Sequence, residues 1–331
     1  WFEHRAEPKL ADYLDLVALG TVADVVPLEK NNRILVEQGL RRMRAGRTRP
    51  GIRALLQVAK RRLSTLVATD LGFALGPRLN AAGRLDDMSV GIRLLTTCNE
   101  QEALQLASEL DDLNRERREI EQGMQREALD IVERMPFSDA DLPPGLCLYD
   151  PSWHQGVVGI VASRIKERFH RPVIVFADAD DQEIKGSARS IPGVHMRDML
   201  DLVAKAEPGL LNKFGGHAMA AGMSLAREKL PLFEKTFHRV LGEYGDEECW
   251  TARLLSDGEL RSADLNLDVA HMLRHGMPWG QQFPEPLFDG EFLLINQRIV
   301  GERHLKLVLA PVDAPQQVID AIAFNIDTGE W

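Results

Sequence analysis

The sequence predicts a mixed α/β protein in which two α/β lobes are joined by a long helix and followed by a small, incomplete β-barrel. Three observations support this fold class. Residues 100–135 repeat apolar side chains at three- and four-residue steps, as an amphipathic helix does. Strand and helix patterns alternate over residues 146–245, and short strand patterns dominate from residue 254 onward.

The composition is that of a globular protein. The chain has 331 residues, 44% of them hydrophobic, which is enough for two or three domains with their own cores. It contains no apolar run of about 20 residues that could span a bilayer. Its three cysteines are scattered, so we expect a reducing, cytoplasmic location. Because the chain starts and stops abruptly, we also expect it to be part of a longer protein.

The net charge of −10 is distributed unevenly along the chain. The region from Glu243 to Trp331 has 16 acidic and six basic residues, so the rest of the chain is electrically balanced. Within that balanced part, nine arginines and lysines follow one another between Arg41 and Arg62 with no acid among them. Such a run is either a solvated helix face or a local positive field for a polyanion.

Residues 1–98 form the first predicted domain, in which helical patterns alternate with short loops. Residues 18–28 hold Asp24 within a run of alanines and valines, where a carboxylate is costly unless it binds a metal or caps a helix. Residues 76–84 set Arg78 and Arg84 six positions apart in a segment with two glycines. We interpret this segment as a glycine-rich loop that faces a phosphate.

The second predicted domain is a connecting helix over residues 99–138. Its apolar stripe is interrupted by Arg117. A helix of this length, about 50 Å at 1.5 Å per residue, is longer than one small domain needs. It therefore indicates a connection between two lobes, and a coiled-coil dimer seam is the alternative.

Residues 139–245 are predicted to be an α/β domain with a central sheet. Strands are expected at residues 146–149, 173–177, 185–190 and 219–225, and helices at residues 157–169, 195–206 and 228–244. Residues 246–331 are predicted to be a partial barrel of the oligonucleotide-binding type. That prediction is based on strands at residues 288–295, 305–310 and 318–324 and a helix at residues 263–274.

Three features of the α/β domain suit an anion. Gly215, Gly216 and His217 can turn backbone and imidazole donors toward a bound oxyanion, although a glycine pair is also typical of a simple turn. Ser187 and Arg189 lie two apart on an extended segment, so both side chains point to one face. Arg164 belongs to a helix whose N-terminal amides could bind an anion, but such a residue is often only exposed.

Five long motifs carry a resemblance to a known family over the whole chain. They are, in order, ALGTVADVVPL, GPRLNAAGRLDDMS, WHQGVVGIVASRIKERFHRP, KGSARS and KFGGHAMAAG. The sequence resembles the RecJ family of the DHH phosphoesterase superfamily, whose members are single-strand-specific 5′→3′ DNA exonucleases. The resemblance implies part of a DHH domain at residues 1–98, a DHHA1 domain at 139–245 and a partial oligonucleotide-binding domain after it.

The resemblance also implies site residues and cofactors. Asp24 matches the last aspartate of the family's ligand set for Mn²⁺ or Mg²⁺ and would be both metal ligand and catalytic residue. The positions that match the DNA path or the pocket for the 5′-terminal phosphate are Arg78, Arg84, Arg164, Ser187, Arg189, Gly215, Gly216 and His217. No Asp-His-His signature occurs in the sequence. We therefore expect the remaining metal ligands to precede Trp1 and the 331 residues to be inactive by themselves.

The expected function is metal-dependent hydrolysis of single-stranded DNA from its 5′ end in DNA repair and recombination. The expected partners are single-stranded DNA and a single-strand-binding protein or a helicase, with the protein acting as a monomer. Two alternatives are open at this point. One is a phosphodiesterase of the same superfamily that acts on short oligonucleotides or cyclic dinucleotides. The other is a DNA- or protein-binding module without catalytic activity.

Overall fold

The structure, a computed structural model, describes residues 9–134, 142–244, 247–301 and 304–326. The chain divides into two compact units. The larger unit comprises Arg49–Lys60 and Pro77–Arg253. The smaller unit comprises Trp1–Thr48, Arg61–Gly76 and Leu254–Trp331.

Helices make up the first part of the chain and alternate with strands in the rest of it. In chain order they are α1 Leu14–Ala23, α2 Lys30–Arg44, α3 Pro50–Val58, α4 Ala68–Asp70, α5 Gly76–Leu85, α6 Ser89–Thr96, α7 Glu100–Glu133, α8 Val158–Phe169, α9 Met196–Ala206, α10 Leu230–Tyr244 and α11 Leu267–Gly276. The strands are β1 Leu146–Tyr149, β2 Val173–Asp178, β3 Glu183–Arg189, β4 Lys213–Gly216, β5 Ala220–Ala226, β6 Phe292–Val300, β7 His304–Pro311 and β8 Ile319–Phe324.

The larger unit contains a five-stranded sheet in the order β1-β2-β3-β5-β4. Strands β1 and β2 are parallel and the other neighbours are antiparallel. Alternate residues of the sheet enter two cores. Val175 and its neighbours pack under α7 and α8, and Phe176 and its neighbours pack under α9 and α10. Burial on both faces explains why β1 and β2 are nearly continuous apolar runs.

Helix α7 is the longest element. Asn99 begins it, and its side-chain oxygen accepts hydrogen bonds from the amides of Gln101 and Glu102 at 2.9 and 3.2 Å. Such an N-cap satisfies two of the first amides, which have no partner inside the helix. The predicted helix over residues 100–135 is therefore confirmed through Glu133, while its expected end at residues 135–138 lies outside the described residues.

The smaller unit joins a helix pair to a three-stranded antiparallel sheet. Helices α1 and α2 cross closely at Gly39, where a Cβ would lie 2.3 Å from the carbonyl oxygen of Leu14. The sheet has the order β6-β7-β8, with a bulge between Leu294 and Asn296. No helix of the described residues is both long and apolar enough to cross a membrane.

Most predicted elements agree with the structure to within a few residues, and the mixed α/β fold class is confirmed. Two local predictions are wrong. The segment that contains Arg78 and Arg84 is helix α5 and not a loop, since Gly76 and Pro77 stand at its first turn, where a proline is tolerated. Gly215 and Gly216 belong to strand β4 and not to a tight turn. Both errors come from reading glycine and proline as loop signals.

Candidate anion-binding site

The site is built on strand β3. Its extended backbone directs Ser187 and Arg189 to one face, as their spacing predicts. Arg189 Nη1 donates hydrogen bonds to Ser187 Oγ at 3.2 Å and to the carbonyl of Ala188 at 2.8 Å. Burial lowers the pKa of Arg189, and the nearby cation Arg84 lowers it further. A desolvated guanidinium beside a second cation is stabilised by an incoming anion.

The first turn of α8 approaches this pair at Gly159. A Cβ at that position would lie 2.8 Å from Arg189 Nη2 and 2.8 Å from Ser187 Oγ. Contacts that short do not occur for real Cβ atoms, so only glycine allows the helix and the two side chains to meet. The helix N-terminus adds a partial positive charge to the same place.

Arg84 reaches the site from the last turn of α5. Its Nη1 donates a 3.0 Å hydrogen bond to the carbonyl of Gly156, just before α8. A Cβ on Gly156 would lie 2.4 Å from the carbonyl oxygen of Arg84, so the two backbones are in close contact. Arg84 and Arg189, more than 100 positions apart in sequence, are thereby brought close enough for Arg84 to lower the pKa of Arg189.

Within the part of the chain that the structure describes, neither of these two arginines has an acidic partner. Among the described residues, the contacts of Arg84 and Arg189 are to carbonyl and hydroxyl oxygens, and no carboxylate forms an ion pair with either. We call Arg84, Gly159, Ser187 and Arg189 the anion cradle. It combines two uncompensated guanidinium groups, a hydroxyl and a helix N-terminus. This donor set suits the oxygens of a phosphate.

Arg78 and Arg164 have carboxylate partners outside the anion cradle. Arg78 forms an ion pair with Asp111 of α7 at 2.8 Å. Six residues of a helix turn through about 600°, so Arg78 and Arg84 point about 120° apart around α5. Arg164 Nε donates to Glu121 at 3.1 Å, and its Nη1 donates to Glu167 at 3.3 Å. The phosphate-binding roles expected for Arg78 and Arg164 stay predictions.

Gly215, Gly216 and His217 lie on the exposed edge of the same sheet. Gly215 pairs with Gly222 of β5, which in turn pairs with Ser187. Gly216 has a φ of +148°, and a Cβ there would lie 2.4 Å from the carbonyl oxygen of Ala220. The conformation therefore requires glycine at Gly216. His217 is exposed, and its amide donates to the carbonyl of Ala220 at 2.8 Å, which closes the β4–β5 hairpin.

Asp24 lies at the C-terminal end of α1 and is exposed. A carboxylate is unfavourable at this end of a helix unless a cation is near, which argues against the capping alternative. The next residue, Val25, has a φ of +55°, a strained conformation for a β-branched residue and one that is common near functional sites. However, no group of three His, Cys, Asp or Glu residues in the described ranges could hold a metal ion. Asp24 alone does not complete a metal centre.

The basic run between Arg41 and Arg62 is partly compensated by acids from elsewhere in the sequence. Arg41 pairs with Glu37 at 2.7 Å, and Arg61 pairs with Asp70 at 3.3 Å. Arg42 and Arg53 also have carboxylate partners, and Arg44 donates to the carbonyl of Leu66 as well as contacting Glu37. At least four described carboxylates thus face nine cations, and the attraction of this run for a polyanion stays a prediction.

Sequence reasoning missed the buried pair formed by Arg117 and Glu121 on α7. Arg117 was noted only as an interruption of the apolar stripe. Glu121 lies four residues further on, which is the spacing of an ion pair on a helix. The two side chains are about 10% exposed and bond at 2.6 Å. Two opposite charges four residues apart on the apolar face of the helix are the sequence signal that could have revealed this pair.

The larger unit carries a five-stranded sheet with the anion cradle, and the smaller unit carries a separate three-stranded sheet. Comparisons with known proteins agree. The DHHA1 domain family matches residues 143–243, and the RecJ OB domain family matches residues 256–330. The chain is 59% identical over 333 residues to the "Single-stranded-DNA-specific exonuclease RecJ" of Escherichia coli K12 and 50% identical over 329 residues to that of Haemophilus influenzae.

The solved structures lead to the same family. The crystal structure of Thermus thermophilus RecJ in complex with Mg²⁺ matches with a TM-score of 0.79 at 32% identity, over 95% of this chain and 47% of that one. The corresponding Mn²⁺ complex matches with a TM-score of 0.78. The chain belongs to the RecJ family. The match covers the whole of this chain but only about 58% of the length of the Escherichia coli relative.

Substituting Gly159 tests the geometry of the cradle. We expect Gly159→Ala to weaken binding of a nucleoside 5′-monophosphate by about tenfold or more, because the methyl group displaces Arg189 and Ser187 from each other. The control is Gly123→Ala on α7, where a Cβ meets nothing within 4 Å. Both changes favour helix formation, so calorimetric titration should separate them by affinity while circular dichroism shows both folded. Equal affinity for the two variants would contradict the geometry.

Proposed function

We propose that this chain is the substrate-holding part of a single-stranded-DNA-specific 5′→3′ exonuclease, and that the anion cradle binds the 5′-terminal phosphate of the strand. The observation that carries the proposal is the pair of guanidinium groups, Arg84 and Arg189, that lie close together without a carboxylate. The names of the RecJ relatives supply the substrate class and the exonuclease activity.

Charge explains how the cradle selects a strand end. A terminal phosphate monoester carries about −1.5 to −2 charges near pH 7, whereas an internal diester carries −1. Two guanidinium groups in a partly desolvated site therefore bind the terminal group more strongly than a phosphate within the strand. Ser187 Oγ, which accepts from Arg189, can direct its own proton to the same phosphate.

We infer that the strand continues from the cradle across β5 and β4. Gly222 and Gly215 lie side by side there, and both are exposed, so the backbone is accessible to the strand. His217, at the end of β4, adds an exposed donor. A surface of this kind contacts sugar and phosphate and reads no base, which suits a nuclease without sequence preference. Arg78 and Arg164 remain candidate contacts further along the path.

Metal chemistry belongs to the longer protein in this proposal. The RecJ crystal structures from Thermus thermophilus contain Mg²⁺ or Mn²⁺. Asp24 is the one residue of this chain that we assign to such an ion, which would activate water and stabilise charge on the scissile phosphate. Since the described residues do not complete a metal centre, the other ligands would come from the part of the relatives that this chain does not span.

The proposed setting is DNA repair and recombination in the cytoplasm, with the protein acting as a monomer. The proposed protein partners are a single-strand-binding protein or a helicase. The region from Glu243 onward carries the whole net charge of −10 and would repel DNA. We therefore assign it to contact with a protein partner or to release of the strand.

Removing one guanidinium tests the assignment of the cradle. We expect Arg189→Ala to weaken binding of a 5′-phosphorylated strand by about tenfold or more, because a charge-assisted hydrogen bond contributes about 1.5–3 kcal/mol. Binding of the same strand with a 5′-hydroxyl should change little. Fluorescence anisotropy with the two strands gives both affinities. Equal losses for the two strands would remove the cradle as the binding site of the end.

A second candidate function is a binding module that hydrolyses nothing, and the incomplete metal set favours it for the 331 residues by themselves. We expect these residues to bind a labelled single strand in the presence of Mn²⁺ without shortening it. Gel analysis of the strand after incubation shows the outcome. Stepwise shortening would mean that the chain holds a complete catalytic centre and would contradict the assignment of Asp24 as a lone ligand.

Asp24 itself requires a longer protein for its test. In the chain extended to the full length of its relatives, Asp24→Ala should abolish Mn²⁺-dependent hydrolysis and leave the melting temperature nearly unchanged, since the side chain is exposed. Glu109→Ala, which removes an exposed carboxylate of α7, is the control and should keep full activity. A variant that lacks Asp24 and still cleaves would exclude its role as a ligand.

A further inference from the structure

A buried polar cluster interrupts the apolar face of α7. It consists of Asn114, Arg117 and Glu121, which are 0%, 8% and 7% exposed. Arg117 donates to Glu121 Oε2 at 2.6 Å and to Asn114 Oδ1 at 3.2 Å. Removing charged groups from water is expensive, and a buried ion pair often stabilises no more than apolar residues of the same size. Stability alone therefore does not explain why these three polar side chains are buried here.

Glu121 connects two helices. Its Oε2 binds Arg117 of its own helix, while its Oε1 accepts a 3.1 Å hydrogen bond from Arg164 Nε of α8. The two partners use different oxygens, so the carboxylate is held in one orientation. Arg164 lies five residues after Gly159, at which α8 meets the cradle. A shift of α8 along its axis would therefore displace Gly159 from Ser187 and Arg189.

Other contacts hold α8 at both of its ends. Trp153 Nε1 donates to Glu127 Oε2 of α7 at 2.7 Å, and Arg84 binds the carbonyl of Gly156 at 3.0 Å. A third contact joins Glu133 of α7 to Arg168 of α8 at 3.9 Å, with both side chains at least half exposed. Exposed pairs contribute little. Among the described carboxylates that join α7 to α8, Glu121 is the buried one.

The charges around Glu121 point the same way. Burial lowers the pKa of Arg117, while Glu121 raises it and Arg84 lowers it. Arg117 is thus a buried cation that repels an arginine of the cradle and is compensated by Glu121. Without this carboxylate, Arg117 would be an unpaired charge beside Arg84. The carboxylate that anchors α8 therefore also compensates a buried cation that Arg84 of the cradle repels.

We propose that Glu121 is a positioning residue for the anion cradle, acting through Arg164 on α8 and held in place by Arg117, without touching the phosphate. On this assignment the role of Arg164 at the cradle is to hold α8 in place, not to bind the 5′-terminal phosphate. The inference rests on the proposed function, because binding of a 5′-terminal phosphate is the property that Glu121 would control.

The test compares three variants of the 331-residue chain. Glu121→Gln removes the charge, and Arg117→Met with Glu121→Leu replaces the whole pair by apolar side chains of similar size, which should restore the melting temperature. Glu133→Gln removes the exposed contact between the same two helices and is the control. For each variant, anisotropy gives the ratio of affinities for the 5′-phosphorylated and 5′-hydroxyl strands, and a thermal melt gives stability.

We expect Glu121→Gln to reduce this ratio by about tenfold, comparable to the loss of one charge-assisted hydrogen bond. The double variant should melt near the wild-type temperature and keep the low ratio, because the anchor for Arg164 is still missing. The control should keep the wild-type ratio. This result would show that the effect on phosphate binding is separate from folding.

Two other results would overturn the inference. If the double variant regains the ratio together with its stability, Glu121 is structural only, and this variant decides the matter even if Glu121→Gln does not fold. If Glu121→Gln binds both strands as the wild type does, the carboxylate does not position the site. In either case a normal loss in Arg189→Ala leaves the proposed function intact. An unchanged ratio in Arg189→Ala would refute that function and this inference together.

Discussion

The contact between the first turn of α8 and strand β3 is the constraint on which the site depends. It requires the absence of a side chain at Gly159, since a Cβ would overlap Arg189 and Ser187 at 2.8 Å. It also leaves two guanidinium groups, Arg84 and Arg189, in a partly desolvated place without a carboxylate. An arrangement of this kind costs stability in the free protein, and an anion that binds there recovers it. The fold therefore contributes to the free energy of anion binding, because it holds the two positive charges together before the anion arrives.

The elements around the cradle offset this loss of stability. Strands β1 and β2 are covered on both faces by apolar side chains, so the sheet that carries Arg189 is fixed by its neighbours. Helix α7 supplies the compensating carboxylate where a buried arginine would otherwise remain unpaired, at Glu121. The positive groups of the cradle and the negative group that supports it are therefore on different elements. This separation keeps the carboxylate away from the place where a phosphate would bind.

Periodicity predicted most helices and strands because those elements bury one or both of their faces. The buried positions are apolar, so they recur in the sequence with the period of the element. Ser187 and Arg189 could be foreseen as neighbours for the same reason, since a strand has a period of two. Arg84 could not be joined to Arg189 from the sequence, because tertiary packing alone brings residues so far apart together. Glycine misled at Gly76 and Gly215, which lie in a helix and a strand, because its conformational freedom permits a loop without requiring one. Strand β4 was missed altogether, since two of its four residues are glycine.

Electrostatics can explain why one end of a strand would be preferred over the other, without any contact to the bases. A cradle with two fixed positive charges is nearly neutralised by a terminal monoester, whereas an internal diester leaves about one positive charge uncompensated. In a site of reduced dielectric constant that difference is larger than it would be in water. A strand would therefore be held by its 5′ end, and the phosphodiester bond presented to a metal centre would be set by the distance from the cradle. On the proposed function, digestion would begin at the end of the strand that carries the phosphate monoester.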